Sequence, residues 1–109
     1  MKKVVLYKLE EPNLKVDVEV YFNANGQLVI DGYDRGKRVK ALRGTSSYEY
    51  LYAVEAENVK AIAQLLGNEA ANSEELLQLI QERFHGNHAF SEFGRFLRAN
   101  DIDYSFWAD

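Results

Sequence analysis

The chain has 109 residues, 47% of them hydrophobic, and its 17 acidic and 13 basic residues give a formal net charge of −4 at pH 7. This composition is typical of a folded globular domain, so we predict a single domain over residues 1–109. The absence of cysteine excludes disulfides, thiolate metal sites and thiol catalysis. The N-terminal apolar run is too short for a signal peptide and no stretch suits a membrane helix, so we expect a cytoplasmic protein without membrane contact.

The N-terminal half is predicted to be rich in strands. Residues Val4 to Leu9 are apolar enough for a first strand, and Lys15 to Phe22 alternates apolar with polar residues, as a half-buried strand does. Asn25-Gly26 suits a tight hairpin turn with positive φ at both central positions, and Gln27 to Asp31 supplies the return strand. Tyr48 to Glu55 is predicted as a further strand because it is rich in aromatic residues.

The segment between these strands is ambiguous. We interpret Asp31-Gly32 and Asp34-Arg35-Gly36 as turn signals. Val39 and Leu42 lie three residues apart on an otherwise basic stretch, which favours one or two turns of helix with a narrow buried stripe. A strand is the alternative, so the sequence leaves residues 37–43 open between helix and strand.

The C-terminal half changes to a helical period. Val59 to Leu66 follows the spacing of an amphipathic helix, and Gly67 lies where a left-handed C-terminal cap is expected. Asn72 is predicted to cap a second helix, with Glu75 three residues later, and Gly86 to close it.

A third helix and a closing strand complete the predicted order. Residues Phe90 to Leu97 have helical spacing, and we expect Gly94 within them to permit close packing. Ile102 to Trp107 alternates as a final strand. We therefore predict an α+β fold, with a mostly antiparallel sheet of about five strands and three helices packed mainly on one face.

The motifs of catalysis and metal binding are incomplete. His85 and His88 span a predicted helix end, so their spacing does not fix a metal geometry, and we interpret them as surface histidines. Asp31 and Asp34 resemble the start of a calcium loop, but its twelfth residue is Leu42 instead of glutamate. No nucleophile elbow or phosphate-binding loop is present. We predict no catalytic residue, cofactor or metal, and a protein that is not an enzyme.

An aromatic strand gives the first candidate binding surface. Alternate tyrosines on the strand 48–55 point to one face of the sheet. This face is part of the core in one interpretation. In the other, it is a surface rich in tyrosine and tryptophan with acids at its rim, which is typical of protein-binding sites. The candidate partner-binding residues are Tyr33, Asp34, Tyr48, Glu49, Tyr50, Tyr52 and Trp107.

A basic segment gives the second candidate. Nine consecutive residues contain five of the 13 basic residues and no acid, which leaves eight basic and 17 acidic residues in the rest of the chain. The segment is a nucleic-acid patch, a site for an acidic protein, or a solvated helix face. The acidic remainder of the chain repels polyanions and disfavours nucleic acid as the partner. Its members are Arg35, Lys37, Arg38, Lys40 and Arg43.

Several short runs resemble small, acidic, single-domain bacterial α+β proteins, among which immunity proteins that bind and neutralise a cognate toxin occur. The runs are residues 31–36, 47–52, 58–59, 65–67, 90–93 and 102–104. The resemblance implies a non-catalytic module whose partner is a protein, such as a toxin domain, and it assigns no binding residue. The alternative function is a nucleic-acid-binding or regulatory protein that uses residues 35–43.

Overall fold

Five strands hydrogen-bond in chain order to form one antiparallel sheet. The computed structural model describes residues 2–67 and 72–109. The strands and helices in these ranges are β1 (Lys3–Glu11), β2 (Leu14–Phe22), β3 (Leu28–Arg35), α1 (Lys37–Arg43), β4 (Ser47–Val54), α2 (Ala56–Leu65), α3 (Ser73–Arg83), α4 (Ala89–Ala99) and β5 (Ser105–Ala108).

The predicted α+β class and five-stranded antiparallel sheet are confirmed, and the prediction of three helices is wrong by one. Segment 37–43, which the sequence left between helix and strand, is the additional helix α1. Its backbone is anchored at both ends, since Arg38 N–H donates to the Asn13 carbonyl at 3.0 Å and Gly44 N–H donates to the Lys40 carbonyl at 2.9 Å. Gly44 adopts the left-handed conformation (φ 82°) that ends many helices.

The hydrophobic core lies between one face of the sheet and helices α2 to α4. Side chains alternate along a strand, so cross-strand partners such as Val20, Ile30 and Tyr52 point to the same side. They pack against buried helix residues, including Ile80 and Phe93, which are fully buried. We call this side of the sheet the helix face and the opposite side the open face.

The helix caps predicted at Asn72 and Gly67 are confirmed, but Gly86 does not close α3, which ends at Arg83 with Phe84 as its C-terminal cap. Asn72 Oδ1 accepts a hydrogen bond from Glu75 N–H at 2.9 Å, and Gly67 has a φ of 80° after the end of α2. The expectation that Gly94 permits close packing is also met, since a Cβ at this position would overlap the Tyr52 ring and hydroxyl. The absence of a side chain at Gly94 therefore lets α4 approach β4.

The turn predicted at Asp31-Gly32 is wrong, because β3 continues through these residues to Arg35. Gly32 is accommodated in the strand since the ring of Tyr50 from β4 lies where a Cβ would be. The Tyr50 hydroxyl also donates to Asp34 Oδ1 at 2.6 Å. Tertiary contacts thus override the local turn preference of aspartate and glycine.

The hairpin turn between β2 and β3 also differs from the prediction. Only Gly26 (φ 78°) has positive φ there, so Asn25 does not adopt the left-handed conformation. Asn23 Oδ1 accepts hydrogen bonds from the N–H groups of Asn25 and Gln27, both at 3.0 Å. Gly26 N–H donates to the Asn23 carbonyl, which gives a longer loop in which glycine supplies the single left-handed residue.

The closing strand is shorter than predicted and begins at Ser105 instead of Ile102. Ile102 is buried in the core, and its N–H donates to the Leu97 carbonyl at 2.9 Å, so it caps the C-terminal end of α4 instead of starting β5. Asp101 has positive φ (54°) and turns the chain at this point.

Candidate functional site on the open face of the sheet

The open face contributes no residue to the hydrophobic core cluster. A shallow depression on it is lined entirely by strand residues, with acids at its centre and basic residues at its margins. Its lining residues are Lys3, Lys8, Asp17, Glu19, Asp31, Tyr33 and Glu49.

Three neighbouring strands bring three carboxylates together in this depression. Glu19 on β2 is the direct cross-strand partner of Asp31 on β3. Glu49 on β4 is the cross-strand partner of Tyr33, two residues further along β3. No ion pair within 4 Å joins any of these acids to a basic residue among residues 2–67 and 72–109. Lys3, which lines the same depression, offsets this charge only in part, since burial and Glu49 raise the pKa of Asp31 more than Lys3 lowers it.

Asp31 experiences this excess of negative charge most strongly. Its burial, together with the nearby charge of Glu49, raises the pKa of Asp31 to about 6. Its Oδ2 accepts a hydrogen bond from the Tyr21 hydroxyl at 3.3 Å. Its Oδ1 is buried and accepts no hydrogen bond from the described residues. The folded protein therefore disfavours the charged form of the Asp31 carboxyl.

Asp17 is neutralised, unlike the three central acids. Arg35 Nη1 lies 2.8 Å from Asp17 Oδ2, and Lys8 Nζ lies 3.6 Å from Asp17 Oδ1. The hydrogen bond from Arg35 holds the pKa of Asp17 below its usual range. Lys8 and Arg35 are thus engaged with Asp17, at one margin of the acidic centre.

Two aromatic side chains stand exposed beside the acids. Tyr33 is 39% exposed, and Trp107 on β5 is 47% exposed. Trp107 is the cross-strand partner of Leu51, which places it on the open face together with Glu49. The guanidinium of Arg35 lies 5.2 Å from the centre of the Tyr33 ring.

The other predicted partner-binding residues lie on the helix face. Tyr52 is only 8% exposed and stacks on Phe90 of α4, with ring centroids 4.5 Å apart and an interplanar angle of 14°. Tyr50 meets Phe90 edge to face at 4.7 Å, and burial together with Asp34 raises its pKa. Tyr48 lies under the guanidinium of Arg43, at 3.6 Å.

The structure therefore separates the seven candidates into two groups. It brings Tyr33, Glu49 and Trp107 together on the open face, and it places Asp34 and the three tyrosines of β4 on the helix face. The sequence did not identify two acids of the site, Glu19 and Asp31. The alternation of β2 already placed Glu19 on the polar face, but Asp31 was assigned to the end of its strand.

The basic segment is partly engaged with other side chains. Arg35 pairs with Asp17, Arg38 lies 3.5 Å from Glu11, and Arg43 stacks on Tyr48. Lys37 and Lys40 are exposed on α1. The segment thus contributes a short helix with two exposed lysines instead of a broad cationic surface.

In the described parts of the chain, no group of three or more histidine, cysteine, aspartate or glutamate side chains has a geometry that could hold a metal ion. Across the same residues, no helix is both long and apolar enough to cross a membrane. Comparison with known protein families, curated proteins and solved structures gives no match to this chain.

Proposed function

We propose that this protein is a non-catalytic binding module of the immunity type, which neutralises a cognate bacterial toxin by binding it directly through the open face of the sheet. The observation that carries the proposal is the acidic centre formed by Glu19, Asp31 and Glu49, whose charge no basic residue of the described chain pairs with. The partner surface it fits carries lysine or arginine side chains, as a basic nuclease domain does.

The raised pKa of Asp31 supports a cationic partner. A carboxyl that ionises only near pH 6 is held in an unfavourable electrostatic environment, and an ammonium or guanidinium group placed beside Asp31 and Glu49 would relieve it. Charge complementarity of this kind accelerates association and excludes partners of the wrong sign.

The exposed aromatic residues support a protein as the partner. Tyr33 and Trp107 belong to the residue types that carry much of the binding energy in protein interfaces. Each of these side chains has only two rotatable torsions, so little side-chain freedom is lost when a partner covers it.

The arrangement of the basic segment argues against nucleic acid as the partner. Arg35, Arg38 and Arg43 are engaged with Asp17, Glu11 and Tyr48. Lys37 and Lys40 remain exposed, and two lysines are a small footprint for a surface that must track phosphates.

The proposal is tested by co-expressing the protein with a toxin domain encoded beside its gene. We expect the two chains to co-purify and the co-expressing cells to survive. Survival without complex formation, or toxicity unchanged by the protein, would contradict direct neutralisation.

A further inference from the structure

Strand β5 forms an edge of the sheet and pairs only with β4 in the described chain. Asp109 exchanges backbone hydrogen bonds with Glu49, so Trp107, two residues earlier, also directs its N–H and C=O groups toward β4. The N–H and C=O groups of Phe106 and Ala108 then point away from the sheet. This edge presents a backbone ready to pair with another strand.

The opposite edge is protected. β1 contains a bulge between Val5 and Tyr7. The Val5 carbonyl accepts a hydrogen bond from Gln81 Nε2 at 2.8 Å, and the Leu6 carbonyl accepts one from Gly86 N–H at 2.9 Å. Bulges and covering segments are the usual means by which proteins prevent edge pairing.

The β5 edge has none of these protective features. Residues Ser105–Ala108 include no charged residue and no proline, and all four are exposed. Phe106 is 55% exposed on the helix face, and Trp107 is 47% exposed on the open face. An unprotected edge with a large apolar side chain on each face favours addition of a further strand.

We propose that β5 pairs antiparallel with β5 of a second copy of this chain, across a two-fold axis at Trp107. The two sheets then become one continuous sheet. The dimer proposal does not rest on the toxin-binding function proposed above, although both involve Trp107, whose side chain lies on the open face.

The side chains favour this register over its neighbour. With Trp107 on the axis, Phe106 of each copy pairs with Ala108 of the other, so a large side chain meets a small one on the helix face. These are hydrogen-bonded pairs, and the two Trp107 residues occupy a non-hydrogen-bonded position, where side chains approach most closely. A register with Phe106 on the axis would instead oppose Asp103 to Asp109, which like charges disfavour.

The fit of Phe106 against Ala108 is the reason why we propose a second copy of this chain as the partner of the β5 edge. Two-fold symmetry repeats each cross-strand pair, so the match of a large Phe106 with a small Ala108 occurs twice in the interface. Each copy carries a net charge of −4. Long-range repulsion therefore opposes the dimer, and we expect salt to strengthen it.

Sedimentation equilibrium tests the dimer from about 1 µM to about 1 mM, at low and high salt. We expect reversible dimerisation that tightens with salt, and a blue shift of the fluorescence of Trp107, the single tryptophan. Ala108→Pro removes an outward N–H without removing a hydrogen bond to β4, so this variant should stay monomeric. A wild-type protein that is monomeric throughout would overturn the proposal, as would a dimer unaffected by Ala108→Pro.

A matched pair of variants at Ser105 tests the register. In the proposed dimer, Ser105 faces Asp109 of the second copy, so Ser105→Lys should tighten dimerisation roughly 2- to 30-fold. Ser105→Asp should weaken it. Equal dimer affinities for the two variants would contradict pairing with Trp107 on the axis, even if a dimer forms.

Discussion

Tyr52 stacks on Phe90 at 4.5 Å, with their rings only 14° from parallel. This contact ties the centre of β4 to α4 and gives the alternate tyrosines of the strand a place in or beside the core. It also leaves the opposite side of the same strand, with Glu49 and Leu51, on the open face. The ring pair belongs to the core that covers one side of the sheet, and the other side of β4 is free to bind.

We expect Tyr52→Ala to destabilise the protein and Tyr33→Ala to leave it nearly unchanged. The first change removes a buried aromatic side chain and should lower the free energy of unfolding by about 3–5 kcal/mol. The second removes an exposed side chain, with an effect within about 1 kcal/mol. Urea unfolding of both variants measures the difference. Equal destabilisation would show that the two tyrosines do not differ in structural role.

Gly94→Ala should destabilise the protein although alanine is the better helix former. The added methyl group would overlap the Tyr52 ring and hydroxyl, and such overpacking costs about 1–3 kcal/mol. The same change made in a Tyr52→Phe background should cost less, because the hydroxyl is absent. A double-mutant cycle from thermal or urea unfolding measures the coupling. Additive effects would contradict direct contact.

Asp31→Asn should alter the dependence of stability on pH. The folded-state pKa of Asp31 is about 6, above the ~4 of an unfolded aspartate, so the native state binds this proton more tightly. The stabilisation is present at low pH and is lost as the pH rises through 6. The free energy of unfolding of the variant should therefore exceed that of wild type by about 1 kcal/mol at pH 7.5, a value reduced for the partial solvent exposure of Asp31. Near pH 4 the two free energies should be almost equal.

Urea unfolding at a series of pH values between 4 and 8 measures this effect. Asp103→Asn, which changes an exposed aspartate outside the strands, is the matched control and should leave the pH profile unchanged. A profile for Asp31→Asn that runs parallel to that of wild type would contradict the electrostatic strain assigned to the open face.

The protein should not bind DNA or RNA tightly at physiological salt. Three of its five clustered cations are already engaged, and the remaining chain is acidic. Fluorescence anisotropy with labelled duplex and single-stranded probes measures this. Tight binding that weakens steeply with salt and is lost in the double variant Arg38→Glu and Lys40→Glu would instead favour a nucleic-acid function.

Regular patterns in the sequence predicted most of the fold. The alternation of apolar and polar residues from Lys15 to Phe22 predicted β2, and the spacing of apolar residues from Val59 to Leu66 predicted α2. Each element buries one face, so its apolar residues recur with the period of a strand or a helix. The end of β3 was missed since Gly32 is compatible with a strand only when the Tyr50 ring covers it. That contact lies 18 residues away in the chain and leaves no local signal.

The candidate site was predictable only in part for a related reason. β4 is apolar on both sides, so its sequence does not reveal which side α4 covers. Trp107 was grouped with the tyrosines of β4, but the pairing of Trp107 with Leu51 places it on the other face. The acidic centre depends on the register of β2, β3 and β4 together, and periodicity within one strand does not specify that register.

The affinity of charge-reversal variants for the cognate toxin domain tests the central claim most directly. Glu49→Lys and Glu19→Lys reverse charges on the open face, whereas Glu82→Lys makes the same change on the exposed surface of α3. Calorimetry should show binding weakened about tenfold or more by each open-face variant and unchanged by Glu82→Lys, with all three variants folded by circular dichroism. Equal affinities for wild type, Glu19→Lys and Glu49→Lys would contradict binding through the open face.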